Sequence, residues 1–475
     1  MHAIILDKTK DITLYNGETS KERIIRLLNK NNIKYEVLNE IPSIINKPTL
    51  IIYNNLVFNE LLLKKYINQD NIINLYEDNI NNLYRIQSNY NKEFISIINE
   101  DNKDIINKEL RIYDLVNQNI IITDNYFREL SKLIKPNEKV FVVSSKSQLE
   151  NIEKQISLIT KNYIIFSDFS SNPAYEDIII GSKLFMDNKC NTIIAIGGGS
   201  SIDTAKCIKA FTNIKDENDV INKNYKYSDI NLIAIPTTSG TGSESTEVAV
   251  MYYKGEKLSV DHPSDLPNTA ILDYNFLITL PEYQKKCVML DALCQLIEAY
   301  WSTLRTDLSK SYSEKGIKLI LANYKGYLNN NPIALRNISI AANYSGKAIT
   351  LAKTTAPHTM CYRLTTKYNI AHGHAVTLTL IYNWRLIAKE NNQDIKNMLL
   401  NLANIIGFNN IEDSIDYISN IIKEMNLKKP IFKKEDIDYL IDGVDLKRLY
   451  NHPIKLNKDD LYCIYEDIIR RWINE

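Results

Sequence analysis

Glycine is scarce in this sequence, at 14 of 475 residues, and cysteine and histidine are scarcer, at six each. Net charge is absent, because 57 Lys and Arg balance 57 Asp and Glu. A balanced chain has no overall field to draw it to nucleic acid or to an anionic membrane, although a local basic pocket stays open. No apolar run approaches the ~20 residues of a membrane span, and mean hydropathy is −0.26. The apolar part of the opening MHAIILDKTKD is too short for a secretory signal. The cysteines (Cys190, Cys207, Cys287, Cys294, Cys361 and Cys463) show no paired metal spacing and mostly sit in apolar contexts, which reads as the reduced thiols of a cytoplasmic protein. These absences exclude membrane, collagenous and disulfide-scaffold classes without choosing among soluble enzymes. At ~100–200 residues per domain, the length accommodates two to four domains.

The pattern of the chain changes twice. Residues 1–105 alternate β-like runs (AIIL, YEVL, TLIIYNN) with helical ones (SKERIIRLLNKNNI, NELLLKKYIN), which predicts a small accessory α/β unit. Polar sequence at 99–110 reads as a linker. A second α/β unit runs over 110–275, with strands at KVFVV, YIIF, TIIAI and NLIAIP separated by helical stretches. That alternation implies a parallel sheet with helices on both faces. From 276 to 475 the periodicity is helical with few β-like runs, which predicts an all-α domain.

Six of the few glycines fall in three clusters: Gly197-Gly198-Gly199, Gly240 with Gly242, and Gly373. A chain this sparing with glycine places it where the backbone requires it. A buried strand that ends in Gly197-Gly198-Gly199-Ser200 and opens a helix is physically a pyrophosphate site. Backbone N–H groups can approach an anion there, and the helix N-terminus adds partial positive charge. Ser200 and Ser201 add hydroxyls, and Asp203 lies in the first turn, where it could also face a nicotinamide. The turn is not G-x-G-x-x-G, so the simple dinucleotide fingerprint does not apply; a tight strand–helix connection is the alternative. The next strand ends in Pro236-Thr237-Thr238-Ser239-Gly240-Thr241-Gly242-Ser243-Glu244, a loop of small donors at the edge where open α/β sheets bind ligands.

Three of the six histidines, His358, His372 and His374, crowd into 17 residues, and Asp291 interrupts the apolar helix LDALCQLIEAY. A carboxylate on an apolar stripe must be compensated, and a metal is one way to do that. Asp291, His358 and His372 would form a carboxylate–imidazole–imidazole set suited to Zn²⁺ or Fe²⁺. Each histidine taken alone reads equally as a hydrogen-bonded core residue, and spacing does not decide.

The segments IIAIGGGSSIDTAKCIKA, IPTTSGTGSE, LDALCQLIEAYWS and APHTMCYRLTTKYNIAHGHAV together resemble the iron-containing (group III) alcohol dehydrogenases, over residues 130–475 and in that family's order. FSDFSSNPAYEDIIIGSKLF, KTTAPH and AHGHAV are similar to its phosphonoacetaldehyde reductase branch. The resemblance implies a dinucleotide-binding α/β domain followed by a helical metal-binding domain. It also implies NAD(P)H-linked, metal-dependent reduction of a small aldehyde, with phosphonoacetaldehyde giving 2-hydroxyethylphosphonate. The family's metal ligands fall on Asp291, His358 and His372, and its fourth, a histidine, is here Gln295, whose carbonyl oxygen is a poorer ligand. A second family histidine is here Tyr362. Where many NAD-preferring members carry an Asp, this chain has Ser145 followed by Lys146, which leans toward NADPH or dual use. Gly197, Gly198, Gly199, Ser200, Asp203, Thr237, Thr238 and Thr241 complete the expected cofactor site. His374 or Tyr362 is the expected proton source, and Lys353, with Arg363 or His374 beside it, is the expected anchor for a phosphonate dianion. Residues 1–105 faintly resemble a nucleotidyltransferase core without its glycine loop and read as a docking element of a homo-oligomer. A generic dehydrogenase of the same family, a dehydroquinate-synthase-like lyase and a non-catalytic subunit stay open as alternatives.

Overall fold

The computed structural model describes residues 2–7, 11–14, 17–39, 49–54, 56–58, 62–63, 73–74, 95–97 and 103–474, except 136, 172 and 215. These gather into two compact units. The first holds residues 1–118, 213–229 and 262–264; the second holds 119–212, 230–261 and 265–475. The division differs from the three-part reading of the sequence, because the parallel sheet and the helical region share one compact unit.

In the first unit, β1 (His2–Leu6), α1 (Ser20–Lys30), β2 (Lys34–Leu38) and β3 (Thr49–Tyr53) follow the predicted βαβ order. Short strands β4 (Leu56–Phe58), β5 (Ile73–Asn74) and β6 (Ile95–Ile97) come next. β2, β1, β3 and β5 form a parallel sheet in that order, while β4 pairs antiparallel with β6. α1 begins in a capping box of Thr19 and Glu22 and packs Ile24, Leu27 and Leu28 against Ala3, Ile5, Leu50 and Ile52. The expected linker is corrected: from Lys103 onward it is helix α2 (Lys103–Val116). The NELLLKKYIN helix lies largely outside the described residues.

The second unit contains β7 (Asn119–Thr123), α3 (Tyr126–Leu133), β8 (Val140–Ser144), α4 (Leu149–Ile159), β9 (Tyr163–Phe166), α5 (Tyr175–Asp187), β10 (Thr192–Gly197), α6 (Gly199–Phe211) and β11 (Asn231–Pro236). A hairpin of β12 (Val248–Tyr253) and β13 (Glu256–Asp261) follows, then β14 (Thr269–Asp273). The parallel sheet runs β7-β14-β11-β10-β8-β9. Its central strands are buried on both faces, as in VFVVS and TIIAIG, which is why they read as continuous apolar runs rather than alternating ones. Ile152 and Ile156 of α4 cover Val140, Val142, Ile194, Ile196, Ile233 and Ile235 on one face. From β8 the chain crosses to β9 on one side and returns to β10 on the other, so the switch point lies between β8 and β10. Dinucleotides bind outside the carboxyl ends of strands at such points.

The remainder is helical, as expected: α7 (Glu282–Trp301), α8 (Asp307–Leu328), α9 (Pro332–Ala352), α10 (Ala356–Tyr368), α11 (His372–Ala388), α12 (Gln393–Ile406), α13 (Ile411–Glu424), α14 (Ile437–Asp442) and α15 (Lys458–Asn474). α7 is buried along nearly its whole length, from Cys287 to Trp301. A helix buried on all sides belongs at the centre of a bundle. Among the described residues no helix is long and apolar enough to cross a membrane. All six cysteines are free and five are buried.

Candidate metal and cofactor site

The turn after β10 is shaped by its glycines. Gly197 has φ +155°, and a Cβ there would lie 2.2 Å from Ser201 Oγ. Gly198 is the N-cap of α6, whose first N–H groups have no intrahelical partners. The strand register sets Ile196 beside Ser144, so Ser145 and Gly197 emerge together at the switch point. The second loop meets the turn directly: Thr237 N–H donates to Gly197 O at 2.9 Å, and Thr238 and Thr241 stand opposite Gly198 and Gly199.

Several expected cofactor contacts are used internally. Ser200 Oγ donates to Ser171 O. Asp203 accepts from Ser243 Oγ at 2.6 Å and from Val250 N–H at 3.0 Å, so it pins α6 to the loop and the hairpin. Burial raises its pKa against the pull of nearby Lys206. Lys206 is itself fully buried and satisfied by Ser243 Oγ, Thr246 Oγ1 and Val248 O. Ser145 Oγ bonds Ser147 Oγ, and Lys146 forms an exposed ion pair with Asp168. Lys146 therefore does not stand as a free cation for a 2′-phosphate, although an exposed pair is worth only ~0–1 kcal/mol.

The glycines of the second loop have a different reason from the one expected. A Cβ on Gly240 would lie 2.8 Å from Val288 of α7, and one on Gly242 would lie 2.5 Å from Gly346 of α9. They let the cofactor-side loop press onto the backbones of the helical region. Gly373 does the same for α11, where a Cβ would lie 2.1 Å from Cys287 O and 2.8 Å from Asp291 Cβ.

That close approach brings Asp291 (α7), His358 (α10) and His372 (α11) together, with one ligand atom from each all within 4.8 Å of one another. His358 Nε2 and His372 Nε2 lie 3.3 and 3.9 Å from Asp291 Oδ1. Asp291 Oδ1 and His358 Nε2 are buried and make no hydrogen bond. Two buried polar atoms that face each other without a hydrogen bond are costly, and a cation that takes the place of the His358 proton removes that cost. The donor set therefore fits a divalent metal.

The supporting contacts fix both rings. Glu298, one further turn-pair along α7, is completely buried and accepts from His358 Nδ1, Thr355 N–H and Thr355 Oγ1. Burial works against a proton on His358, yet Glu298 and Asp291 outweigh it and push its pKa up to about 10. The Cys361 thiol donates to His358 O at 3.1 Å, and its sulfur lies 3.5 Å from His372 Nδ1. Both Nδ1 atoms are thus occupied, leaving both Nε2 atoms for the cluster. Burial would raise the Asp291 carboxyl, but the neighbouring His358 and His372 hold it below its ordinary value. Sequence reasoning missed Glu298 and Cys361. The signal for Glu298 was present, since positions i and i+7 share a helix face. Glu298→Gln is expected to weaken metal affinity ~10–100-fold with the fold retained. Chelator competition checks it, and parental affinity would make Glu298 a packing residue only.

The other expected residues stand elsewhere. Gln295 turns its carbonyl oxygen to Ser345 Oγ at 2.9 Å and its amide toward Asp291 Oδ2 at 3.3 Å, so it orients Asp291 rather than offering an oxygen to the cluster. His374 is fully buried with Nδ1 on Tyr283 Oη at 3.0 Å, and burial lowers its pKa to about 4. Lys353, expected to be buried, is a third exposed and ion-paired with Asp261 at 3.1 Å. Arg363 donates to Tyr439 O and stacks on the Tyr439 ring, away from the cluster. Tyr362 lies one helical turn from His358 on α10, and its Oη accepts from Arg448.

Two family models match this architecture: "Iron-containing alcohol dehydrogenase" over residues 117–274 and "Fe-containing alcohol dehydrogenase family, C-terminal" over 287–469. The chain belongs to the iron-containing alcohol dehydrogenase family. Among curated relatives, it is 29% identical over 269 residues to an aldehyde-alcohol dehydrogenase of Streptococcus pneumoniae, covering 52% of this chain and 30% of that protein. It is 31% identical over 205 residues to a phosphonoacetaldehyde reductase of Streptomyces viridochromogenes, covering 40% of this chain and 52% of that protein. The chain thus spans about a third of the length of the first and half of the second. In fold it is similar to the sulfoacetaldehyde reductase of Bifidobacterium kashiwanohense solved with NAD⁺, with TM-score 0.68, 24% identity, and 74% and 96% of the two chains covered. Both family models begin after residue 116, so residues 1–116 of the first compact unit lie outside them, while its segments 213–229 and 262–264 lie inside.

Proposed function

We propose that the protein reduces a small aldehyde to a primary alcohol, with phosphonoacetaldehyde, giving 2-hydroxyethylphosphonate, as the substrate. The observation that carries the reading is the pair of buried polar atoms without a hydrogen bond, Asp291 Oδ1 and His358 Nε2, in the same compact unit as a glycine turn at a sheet switch point. Asp291, His358 and His372 would hold a divalent metal, Fe²⁺ or Zn²⁺, and the turn at Gly197–Gly199 would hold the pyrophosphate of NADH or NADPH. When bound, the metal supplies Lewis acidity toward a carbonyl oxygen and the nicotinamide supplies hydride. The chain's own residues set the geometry. Glu298 and Cys361 orient the imidazoles, and Gln295 orients the carboxylate. Gly240, Gly242 and Gly373 let the cofactor loop and the ligand helices meet at backbone contact. The choice of phosphonoacetaldehyde draws on two relatives named for two-carbon aldehydes that bear an anion.

The test is NAD(P)H oxidation by metal-loaded protein with phosphonoacetaldehyde, sulfoacetaldehyde, succinate semialdehyde and propanal. Phosphonoacetaldehyde is expected to give the highest kcat/KM, and exhaustive chelation is expected to abolish turnover until metal is restored. Turnover that survives chelation sinks the metal reading. An equal rate with propanal returns the protein to the generic aldehyde reductases.

A further inference from the structure

The start of α11 carries a cluster ligand but has no capping side chain. Its N-cap is Ala371, which makes no side-chain cap hydrogen bond, and His372 is the first helical residue. A helix N-terminus leaves its first N–H groups without intrahelical partners. In a capping box the side chain at the third helical position reaches back to the N-cap N–H. Here that position is His374, and a phenol stands between the two groups. Tyr283 Oη accepts from Ala371 N–H at 3.1 Å and shares a hydrogen bond with His374 Nδ1 at 3.0 Å. One hydroxyl thus grips the residue before His372 and the residue two after it.

Tyr283 stands on the helix that supplies the carboxylate. Tyr283, Cys287 and Asp291 follow one another at four-residue intervals along α7, so they share a face. Gly373 presses on that face, where a Cβ would lie 2.1 Å from Cys287 O and 2.8 Å from Asp291 Cβ. The glycine lets α11 approach, and the phenol fixes how its first turn sits against α7. The rings of Tyr283 and His374 also meet edge to face, with centroids 5.9 Å apart. His372 needs this support more than His358 does. Its side chain is 40% exposed, against 7% for His358. Its Nδ1 faces the Cys361 sulfur at 3.5 Å, where His358 Nδ1 has the carboxylate of Glu298.

We propose that Tyr283, held by His374, is a positioning residue whose hydroxyl locks the first turn of α11 and so sets His372 for the metal. The inference rests on the metal reading above. It gives His374 a role other than the proton donation that the sequence suggested.

Tyr283→Phe removes the hydroxyl and nothing else. His374→Leu removes the ring nitrogens, and His374→Asn keeps a polar group near the place of Nδ1. Tyr324→Phe is the control, since its hydroxyl bonds Glu424. The first readout is Zn²⁺ and Co²⁺ affinity by chelator competition. Tyr283→Phe and His374→Leu are each expected to weaken it ~10-fold, the lower end of the loss for outer partners of metal ligands. The double variant is expected to lose about as much as either single one, because the two groups act as a unit. His374→Asn is expected to recover part of the loss, and Tyr324→Phe to stay parental. The second readout is the visible spectrum of Co²⁺-saturated protein, which reports ligand geometry and is expected to change in Tyr283→Phe but not in Tyr324→Phe. The third is the Tm of the metal-free protein, expected to fall by no more than ~2–4 °C.

A parent that binds both ions while Tyr283→Phe and His374→Leu keep its affinity and spectrum overturns the proposal and leaves the metal reading standing. A metal-free Tm far below that of the parent, with affinity and spectrum unmoved, makes the contact a stability device and overturns it too. If the parent binds neither ion, the metal reading fails and the proposal falls with it.

Discussion

Truncating His372 to alanine is expected to strip the protein of bound metal and of NAD(P)H-linked turnover while leaving it folded. The three ligand atoms come from three different helices, so losing one leaves only a carboxylate and an imidazole to hold a dication. His372 is the ligand to remove because its side chain is 40% exposed, against 7% for His358 and 4% for Asp291. Cutting it back leaves no large cavity. Removing His358 instead would leave Glu298 buried without its cation partner, and breaking a buried pair of that kind costs ~3–5 kcal/mol. A dead His358 variant is therefore ambiguous between a lost metal and a damaged fold, and a dead His372 variant is not. Metal content after gel filtration gives the direct readout. Thermal melting gives the second: metal at ~100 times its Kd stabilises a folded protein by ~2.7 kcal/mol, so added metal should raise the Tm of the parent and not of His372→Ala. A variant that keeps full metal content and turnover removes His372 from the site.

The three ligand candidates could be picked from the sequence because their types were rare and their settings wrong for their chemistry. Asp291 interrupts an apolar helix, and histidines number six in 475 residues. The contacts around them were less legible. Cys361 reads as an ordinary buried thiol, and only the packing of α10 against α11 shows its sulfur beside His372. Lys353 misled because small apolar neighbours in sequence suggested burial, whereas it ends α9 at φ +59° and points to the hairpin.

The sheet shows a similar split. β8 through β11 stood out as apolar runs with turn signals after them, and all four were found where expected. β7 and β14 were not singled out. Their apolar runs are only three residues, III and AIL, against four in each of β8 to β11, and periodicity does not separate so short a run from a buried helix segment. They pair with each other across about 150 residues of chain, so their place in the sheet is set by long-range contacts. The loop glycines illustrate the same limit. Their number signalled a constraint, but whether that constraint was a ligand or another backbone appeared only when α7 and α9 were in place.

Within the first glycine cluster, the structure separates the two kinds of constraint and so supplies the sharpest test of cofactor binding. Gly197 is structural: at φ +155° with Ser201 Oγ 2.2 Å from a Cβ, any side chain strains the turn. Gly199 is intermediate, with Thr241 Cγ2 at 3.0 Å. Gly198 is different. Its φ of −74° and ψ of −171° suit any residue, and a Cβ would meet nothing closer than Thr238 at 3.6 Å, which is ordinary contact. The protein thus has no internal need for glycine there, but an anion approaching the N-terminus of α6 does. Gly198→Val is expected to fold with a Tm near that of the parent and to lose NAD(P)H affinity ~10–100-fold, the cost of disturbed charge-assisted hydrogen bonds. Gly197→Ala is expected to do the reverse in emphasis, lowering Tm first. Fluorescence titration of NADH and NADPH beside thermal melts of both variants checks the pair. If Gly198→Val binds both nucleotides as tightly as the parent, the pyrophosphate lies elsewhere, and Gly198 is only a connection between β10 and α6.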